Sequence, residues 1–232
     1  MSKGYKGVMP STSYDPTAES QPAEFVLMKA SHSAFLASDA WAEMLQADLL
    51  PWLSANGDLG DDVLEIGPGP GRTTDLLRER AAHVTAMELD RSLANALAAR
   101  LTGSNVDVVH GDGTDTGLQA DRFSSVTCFH MLHHMPTPEL QDRLFAEVCR
   151  VLRPCGAFLV ADALDQDGVR SRHQEEGETF VPLDPATVQD RLRNAGFADS
   201  AIDLGEYQIL LRAQKSPQHR QGTTPRNTTE PR

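Results

Sequence analysis

A glycine-rich turn after a short apolar run constrains this chain more than any other feature. Residues 63–71 read Val-Leu-Glu-Ile-Gly-Pro-Gly-Pro-Gly, and Leu76 and Leu77 begin an apolar stripe at helical spacing directly afterwards. The pattern predicts a buried strand, a tight glycine loop and a helix. In such a loop the backbone can approach a ligand closely, and the helix N-terminus supplies free N–H groups. We therefore expect a nucleotide-like ligand at this turn; the alternative is a glycine turn that binds no ligand.

The spacing of the glycines separates this loop from the dinucleotide-binding fingerprint. That fingerprint needs glycine or alanine at the position of Arg72 when Gly67 and Gly69 are taken as its first pair. The third glycine is instead Gly71, and Glu65 precedes the loop on the strand. A carboxylate at the end of this strand suits a ligand with a positive charge, such as the ammonium group of an amino acid.

Two segments of the chain carry a family resemblance. Residues 65–71, Glu-Ile-Gly-Pro-Gly-Pro-Gly, resemble motif I of the class I S-adenosylmethionine-dependent methyltransferases. Residues 84–90, Val-Thr-Ala-Met-Glu-Leu-Asp, resemble motif II of the same family. The resemblance is strong over residues 62–163 and loose over residues 184–213, and it is closest to the small-molecule enzymes of the ubiquinone- and menaquinone-biosynthesis type.

Two later segments are similar to the same family. Residues 132–134, Leu-His-His, follow the fourth predicted strand, as in many members. Residues 150–156 are similar to the turn Arg-Val-Leu-Arg/Lys-Pro-Gly-Gly that precedes the fifth strand, with Cys155 in place of the first glycine. A non-glycine residue is strained at this position if the turn requires a positive φ.

The resemblance implies S-adenosyl-L-methionine as the cofactor, bound by the loops that follow the first four strands. Glu88 is the expected ligand of the ribose hydroxyls; Asp90 is the competitor, but its position fits a helix N-cap better. Asp112 is expected at the adenine amino group, and Gly113 stands where alanine is common in the family. The predicted cofactor-binding residues are Glu65, Gly67, Pro68, Gly69, Gly71, Glu88, Leu89, Gly111, Asp112, Gly113, Phe129 and His130.

Three histidines follow the fourth predicted strand. His130, His133 and His134 are candidates for deprotonating a substrate oxygen or nitrogen, because imidazole titrates near neutral pH. Two of the three can equally be structural and bond a backbone carbonyl at a helix start. His133 and His134 rank first as the general base because they lie in the segment that matches the family. We expect no metal, since a metal-dependent mechanism of the catechol type would place clustered carboxylates here.

Strands and helices alternate along the chain. The pattern predicts an α/β fold, a Rossmann-like seven-stranded, mostly parallel sheet with helices on both faces and an antiparallel last strand. The predicted strands are residues 62–66, 83–89, 106–110, 125–129, 157–163, 201–204 and 207–213. Asp90 and Thr137 are predicted to cap the helices that follow them. Residues 164–182 are polar and aperiodic, and we interpret them as a loop or insertion near the site.

Composition divides the chain into four parts. We predict a mobile N-terminal segment over residues 1–22, a helical cover over 23–56, the methyltransferase domain over 57–214 and a disordered tail over 215–232. The acceptor site is expected under a lid formed by part of the first two segments, residues 14–37, and the side chains expected to line it are His32, Phe35 and Phe180.

The helical cover has an apolar stripe of its own. Trp41, Leu45, Leu49 and Trp52 recur at helical spacing, which predicts an amphipathic helix. We expect this helix to cover one edge of the sheet, with both tryptophans in the core rather than at the substrate.

The formal net charge of −12 argues against a broad phosphate-binding surface, so no nucleic-acid partner is expected. The rRNA adenine dimethylases share motifs I and II, but they carry Asn-Leu-Pro-Tyr-like residues where this chain has Cys-Phe-His-Met at residues 128–131. No apolar run approaches about 18 residues, so we expect no membrane span. Three cysteines without metal-type pairing fit a reduced, cytoplasmic protein.

These observations predict methyl transfer to a small-molecule acceptor, through an oxygen, nitrogen or carbon nucleophile, by in-line displacement. Two alternatives stay open. One is a non-catalytic S-adenosylmethionine-binding protein. The other is a nicotinamide-dependent reductase, against which Arg72 and the absence of a Tyr-x-x-x-Lys pair argue. The sequence indicates neither the acceptor nor an oligomeric state.

Overall fold

The computed structural model describes residues 29–56 and 58–217. The mobile segment predicted at residues 1–22, residues 218–232 of the tail predicted at 215–232, and the part of the predicted lid before Lys29 lie outside the described residues. Lys215, which we predicted to begin the tail, instead ends the last strand of the sheet.

Seven strands form one sheet, in the order β3-β2-β1-β4-β5-β7-β6. The strands are β1 Asp62–Ile66, β2 His83–Glu88, β3 Val106–His110, β4 Phe123–Phe129, β5 Leu152–Ala163, β6 Phe197–Leu204 and β7 Gln208–Lys215. Neighbours among β1 to β5 are parallel, and β7 lies antiparallel between β5 and β6. The predicted fold class is confirmed, including the antiparallel last strand.

Eight α-helices are described, and two of them start at the caps that the sequence indicates. They are α1 Ala30–Leu36, α2 Asp39–Met44, α3 Leu50–Ala55, α4 Arg72–Arg78, α5 Arg91–Arg100, α6 Pro138–Val151, α7 Asp167–Glu176 and α8 Val188–Asn194. A π-helical turn, Leu45–Leu49, joins α2 to α3, and a 3-10 turn, Leu132–His134, follows β4. The Asp90 carboxylate accepts from the Ser92 and Leu93 N–H groups at the start of α5, and the Thr137 hydroxyl accepts from Leu140 N–H at the start of α6.

Two apolar layers pack against the sheet, one on each face. Helices α6 and α8 cover one face, where Phe145, Leu192 and Phe158 belong to one buried cluster. The other face carries α4 and α5 together with the α2–α3 segment. That segment shares its buried cluster with strand residues such as Val63, and the Trp52 ring N–H donates to Asp203 of β6, the strand at one edge of the sheet.

Residues 164–182 are not the uninterrupted loop that we predicted, because they contain α7. His173 is the buried residue of this helix and the rest of its surface is polar, so the segment shows no apolar period. Gly177, with φ +64°, ends the helix in the left-handed conformation. The turn before the fifth strand also differs, since β5 begins at Leu152 and Cys155 takes a positive φ of 63° in a position that favours glycine.

None of the described helices combines the length and the apolar composition that a bilayer span requires.

Candidate functional site

A cavity opens at the carboxyl ends of β3, β2, β1 and β4, which are neighbours in the sheet. In open α/β sheets this is the edge where ligands bind. The structure brings ten of the predicted cofactor-binding residues to the cavity wall, namely Gly67, Pro68, Gly69, Glu88, Leu89, Gly111, Asp112, Gly113, Phe129 and His130. The other two predicted residues, Glu65 and Gly71, do not line the cavity.

At Gly67 and Gly71, the first and last glycines of the loop, the absence of a Cβ lets a neighbouring side chain approach closely. Gly67 has a φ of +71°, and a Cβ there would lie 2.6 Å from Cγ of Met131, a cavity residue. Gly71 has a φ of +88° and precedes α4; a Cβ there would overlap Leu97 of α5. The first position lets the loop approach the β4 side of the cavity, and the last lets α4 pack closely against α5.

Glu65 lies beneath the loop rather than in the cavity. Its carboxylate is 1% exposed and accepts hydrogen bonds from the hydroxyls of Thr73 and Thr74, the latter at 2.6 Å. Burial raises the pKa of this carboxyl to about 7, against the lowering effect of the two hydroxyls. The expected contact of Glu65 with a ligand ammonium is therefore not what the structure shows: Glu65 ties the start of α4 to the end of β1.

Glu88 occupies the position that we predicted for the ribose ligand. It is buried at the end of β2 and lines the cavity. Oε2 accepts from Gly69 N–H at 2.9 Å, and Oε1 accepts from Asp90 N–H at 2.9 Å. Each carboxylate oxygen has a further lone pair, so both can still accept from a ligand hydroxyl. Asp90, the competing candidate, also lines the cavity and is the N-cap of α5, so the ribose role of Glu88 stays a prediction.

Asp112 and Gly113 form the wall of the cavity after β3. Asp112 Oδ1 accepts from Thr114 N–H at 2.8 Å, which fixes the turn. A Cβ on Gly113 would lie 2.6 Å from Cγ2 of Ile66. This contact gives the physical reason for glycine at a position where the resembling family commonly carries alanine.

The comparisons with known proteins concern the part of the chain that supplies most of the residues lining this cavity. Residues 64–160 match a protein-family model described as a methyltransferase domain. This part of the chain, from β1 to β5, is similar to a methyltransferase domain. The predicted family is thus confirmed.

The curated relatives align with this chain over only part of their own length. The ubiquinone biosynthesis O-methyltransferase of Aromatoleum aromaticum is 32% identical over 46% of this chain and 46% of the relative. The demethylmenaquinone methyltransferase of Clavibacter sepedonicus is 29% identical over 44% of this chain and 41% of the relative. A ribosomal RNA small subunit methyltransferase A of Deinococcus radiodurans is 48% identical over 24% of this chain and 19% of the relative. The chain therefore spans less than half the length of each of these relatives.

Solved structures share the fold of the chain. The PH0226 protein of Pyrococcus horikoshii OT3 superposes with a TM-score of 0.67 at 19% identity, over 82% of this chain and all of that protein (100%). Phosphoethanolamine N-methyltransferase 2 of Haemonchus contortus, solved in complex with S-adenosyl-L-methionine, superposes with a TM-score of 0.58 at 13% identity, over 70% of this chain and 50% of that one.

Trp41 and Arg72 also line the cavity, and neither was predicted to do so. Trp41 lines the cavity, with its ring centroid 4.8 Å from that of His130, so the prediction that both tryptophans are core residues is wrong for Trp41. Arg72 donates to the Ala37 carbonyl and to Asp39, which ties α4 to the junction of α1 and α2. Neither contact has a signal in local sequence, because each joins segments more than 30 residues apart.

The three histidines after β4 occupy different environments. His130 takes a positive φ of 53°, donates its N–H to the Ala161 carbonyl at 2.7 Å and lines the cavity. Burial lowers the pKa of its ring to about 4. His133 turns away from the cavity, and both its Nδ1 and its backbone N–H bond to the buried carboxylate of Asp162.

His134 lines the cavity and is the one of the two predicted bases that the structure brings there. Burial, followed by the nearby rings of His133, His32 and His173, lowers the pKa of His134 to about 2. Its imidazole is therefore neutral at physiological pH. A role for His133 or His134 as general base stays a prediction.

His134 belongs to a cluster of four polar side chains. His32, His134, His173 and Glu178 each present one donor atom, and these atoms lie within 4.8 Å of one another. Local sequence patterns gave no sign of this cluster, because His173 and Glu178 belong to residues 164–182, which we interpreted as a loop.

The predicted acceptor-site residues are only partly brought together. His32 belongs to the cluster, and the ring of Phe180 lies 4.7 Å from that of His173. Phe35 is 41% exposed and packs against Trp41 instead.

Proposed function

We propose that this methyltransferase transfers the methyl group of S-adenosyl-L-methionine to a small-molecule acceptor by in-line displacement. The observation that carries the proposal is the position of Glu88, which is fixed at the end of β2 by Gly69 and Asp90 N–H groups and faces the cavity. A buried carboxylate in that place accepts ribose hydroxyls. The cofactor found in the related Haemonchus contortus protein contains such a ribose.

The order of the strands supports an orientation for the cofactor. Asp112 follows β3, Glu88 ends β2, and Gly67 and Phe129 border β1 and β4, so these residues follow one another along the edge of the sheet. We assign the adenine to the Asp112 turn, the ribose to Glu88 and the methionine part to the space between the glycine loop and β4. The methyl group then points toward His130 and His134.

S-adenosyl-L-methionine supplies an electrophilic methyl group on a sulfonium centre. The contribution of the chain is to hold an acceptor in line with that methyl group and to exclude water. Leu36, Trp41 and Phe129 form apolar wall at this end of the cavity. The rigid mounting of Glu88 and of the glycine loop keeps the cofactor from shifting while the acceptor approaches.

A small molecule is favoured over RNA as the acceptor. The net charge of −12 disfavours a phosphate-binding surface. The ribosomal RNA methyltransferase of Deinococcus radiodurans matches only 24% of the chain, whereas the two quinone-type relatives match 46% and 44%. The residues after β4, Phe129, His130 and Met131, also differ from the Asn-Leu-Pro-Tyr-like segment of the RNA adenine dimethylases.

A transfer assay tests the proposal. The full chain is incubated with S-adenosyl-L-methionine carrying a labelled methyl group and with a panel of hydroxylated aromatic, amine and enol acceptors, with ribosomal RNA as a separate arm. Label in a small molecule supports the proposal. Label only in RNA contradicts the small-molecule assignment. Binding of the cofactor with no transfer to any acceptor favours the non-catalytic alternative.

A further inference from the structure

Three imidazoles and one carboxylate from separate segments meet beside the cavity. His32 lies on α1, His134 ends the 3-10 turn after β4, His173 lies on α7, and Glu178 follows the glycine that ends α7. Their donor atoms all lie within 4.8 Å of one another. We infer that these four side chains bind one divalent transition-metal ion, and that Zn²⁺ is the ion their nitrogen and oxygen donors favour.

The ring of His173 is held in the form that a metal ligand requires. Its Nδ1 lies 2.8 Å from the Val169 carbonyl oxygen, which can only accept, so the ring proton is on Nδ1. Nε2 is left with a lone pair, is buried, and has no hydrogen-bond partner among the described residues. A bond from the other ring nitrogen to a carbonyl is the usual device that orients a metal-bound histidine.

His134 presents a second buried nitrogen of the same kind. Its Nε2 also has no hydrogen-bond partner within the described part of the chain. The centroid of its ring lies 5.1 Å from that of His32 and 5.2 Å from that of His173. A buried polar atom without a partner is costly, and one shared ion satisfies both nitrogens at once.

Glu178 is fixed at the opposite side of the cluster. Oε1 accepts from Lys29 N–H at 2.9 Å, and Oε2 lies 2.7 Å from His32 Nδ1. The side chain of Glu178 is 2% exposed and that of His32 is 18% exposed, so the cluster is largely shielded from water. A tetrahedral ion with bonds of about 2.0–2.1 Å places its ligand atoms about 3.3 Å apart. Closing the widest separation of 4.8 Å to that value takes small rotations of side chains.

The surrounding charge favours a cation. Glu178 contributes one carboxylate directly. Asp162, which is fully buried, contributes a second through its bond to His133, whose ring lies 4.1 Å from that of His134. The 3-10 turn that carries His134 is in turn anchored, because Gln141 Nε2 donates both to the Leu132 carbonyl and to the Val181 carbonyl near Glu178.

The position of the site relative to the cavity indicates a use for the ion. His134 belongs both to the cluster and to the cavity wall, on the side of β4 where the methyl group is assigned. This step rests on the proposed function. The ion would expand from four to five ligands to take a hydroxyl or enol oxygen of the acceptor, and an oxygen so coordinated gives up its proton to solvent more readily. The oxygen lone pair then forms the bond to the methyl carbon, while the carbon–sulfur bond breaks and its electron pair stays on sulfur.

Metal titration of the full chain tests the site. The purified protein is stripped with a chelator and titrated with Zn²⁺ in the presence of a chromophoric competitor, and bound zinc is counted by elemental analysis. Binding of one Zn²⁺ per chain is expected, and Co²⁺ in its place should give the visible absorption of a four- or five-coordinate nitrogen and oxygen site. Both readouts are measured on the unaltered protein, so they do not depend on whether a variant folds.

Two variants and a matched control locate the ion. His173→Ala should weaken Zn²⁺ binding more than about 100-fold, beyond the effect of losing an outer-shell partner. Glu178→Gln, a change of similar size and shape, should weaken it at least about 10-fold. His110→Ala removes an exposed histidine outside the cluster and should leave the affinity unchanged. Circular dichroism melts establish that each variant is folded.

Two results would overturn the site: no stoichiometric zinc on the unaltered protein, or zinc binding that folded His173→Ala and Glu178→Gln leave intact. Calorimetry with S-adenosyl-L-methionine on the zinc-free and zinc-loaded protein separates this inference from the proposed function. Zinc binding without cofactor binding refutes the proposed function alone. Cofactor binding without zinc binding refutes the metal site alone.

Discussion

Replacing Glu88 with glutamine tests the assignment on which the cofactor site depends. The Glu88 carboxylate accepts two backbone N–H bonds at 2.9 Å, from Gly69 and from Asp90. Glutamine offers one carbonyl oxygen, and its NH₂ group would face the other N–H. One buried donor is then left unpaired, at a cost of about 1–3 kcal/mol. We therefore expect Glu88→Gln to lower the free energy of unfolding by about that amount without cofactor.

The same substitution should weaken cofactor binding. Hydrogen bonds from ligand hydroxyls to a charged acceptor are worth about 1.5–3 kcal/mol, and glutamine keeps one acceptor oxygen. A loss of about 1–3 kcal/mol corresponds to an affinity lower by roughly 5- to 150-fold. Calorimetry with S-adenosyl-L-methionine measures this, with Glu79→Gln as control, because the Glu79 side chain is 65% exposed and lies outside the cavity. An unchanged affinity in folded Glu88→Gln would refute the ribose assignment.

Three further predictions concern single side chains. The pKa of Glu65 is raised to about 7 in the folded chain, so this group stabilises the fold below pH 4.5 and loses that stabilisation, about 3 kcal/mol, as the pH rises to about 7. The free energy of urea unfolding of Glu65→Gln should therefore depend less steeply on pH in this range than that of the unaltered chain. An equally steep pH dependence would contradict the burial argument. Gly71→Ala should lower the free energy of urea unfolding by about 2–4 kcal/mol, and Gly103→Ala by only about 1 kcal/mol. Both glycines have a positive φ, but only Gly71 has neighbours that a Cβ would meet. Equal losses in the two variants would show that these Cβ contacts do not destabilise the fold. Trp41→Ala should weaken binding of S-adenosyl-L-methionine with little change in the melting temperature, because Trp41 lines the cavity. Trp52→Ala should destabilise the fold by about 3–5 kcal/mol and leave the cofactor affinity of the folded fraction unchanged. The reverse pattern would place Trp41 in the core.

The sheet and its glycine loop were predictable from local patterns. The bounds of β1 and β3 match the predicted residues, because each strand is a short apolar run between turn residues. The cap at Asp90 was also predictable, since its carboxylate bonds N–H groups only two and three residues away. Nearly all predicted cofactor-binding residues reach the cavity for the same reason, as they follow directly on strands that end at one edge of the sheet.

The remaining features depend on contacts between distant segments. Trp41 and Trp52 share one apolar stripe, yet only tertiary packing determines that the first lines the cavity and the second is buried. The bond between His32 and Glu178 joins residues 146 positions apart. Helix α7, which carries His173, buries too little apolar surface to show a period. No local pattern could therefore have assembled the histidine cluster.

Titration calorimetry of the purified chain with S-adenosyl-L-methionine and, separately, with NADH tests which cofactor the cavity binds. We expect S-adenosyl-L-methionine to bind with a micromolar dissociation constant and one-to-one stoichiometry, and NADH not to bind. Binding of NADH alone would contradict the account and favour the reductase. Binding of neither compound would refute the cofactor site without affecting the description of the fold.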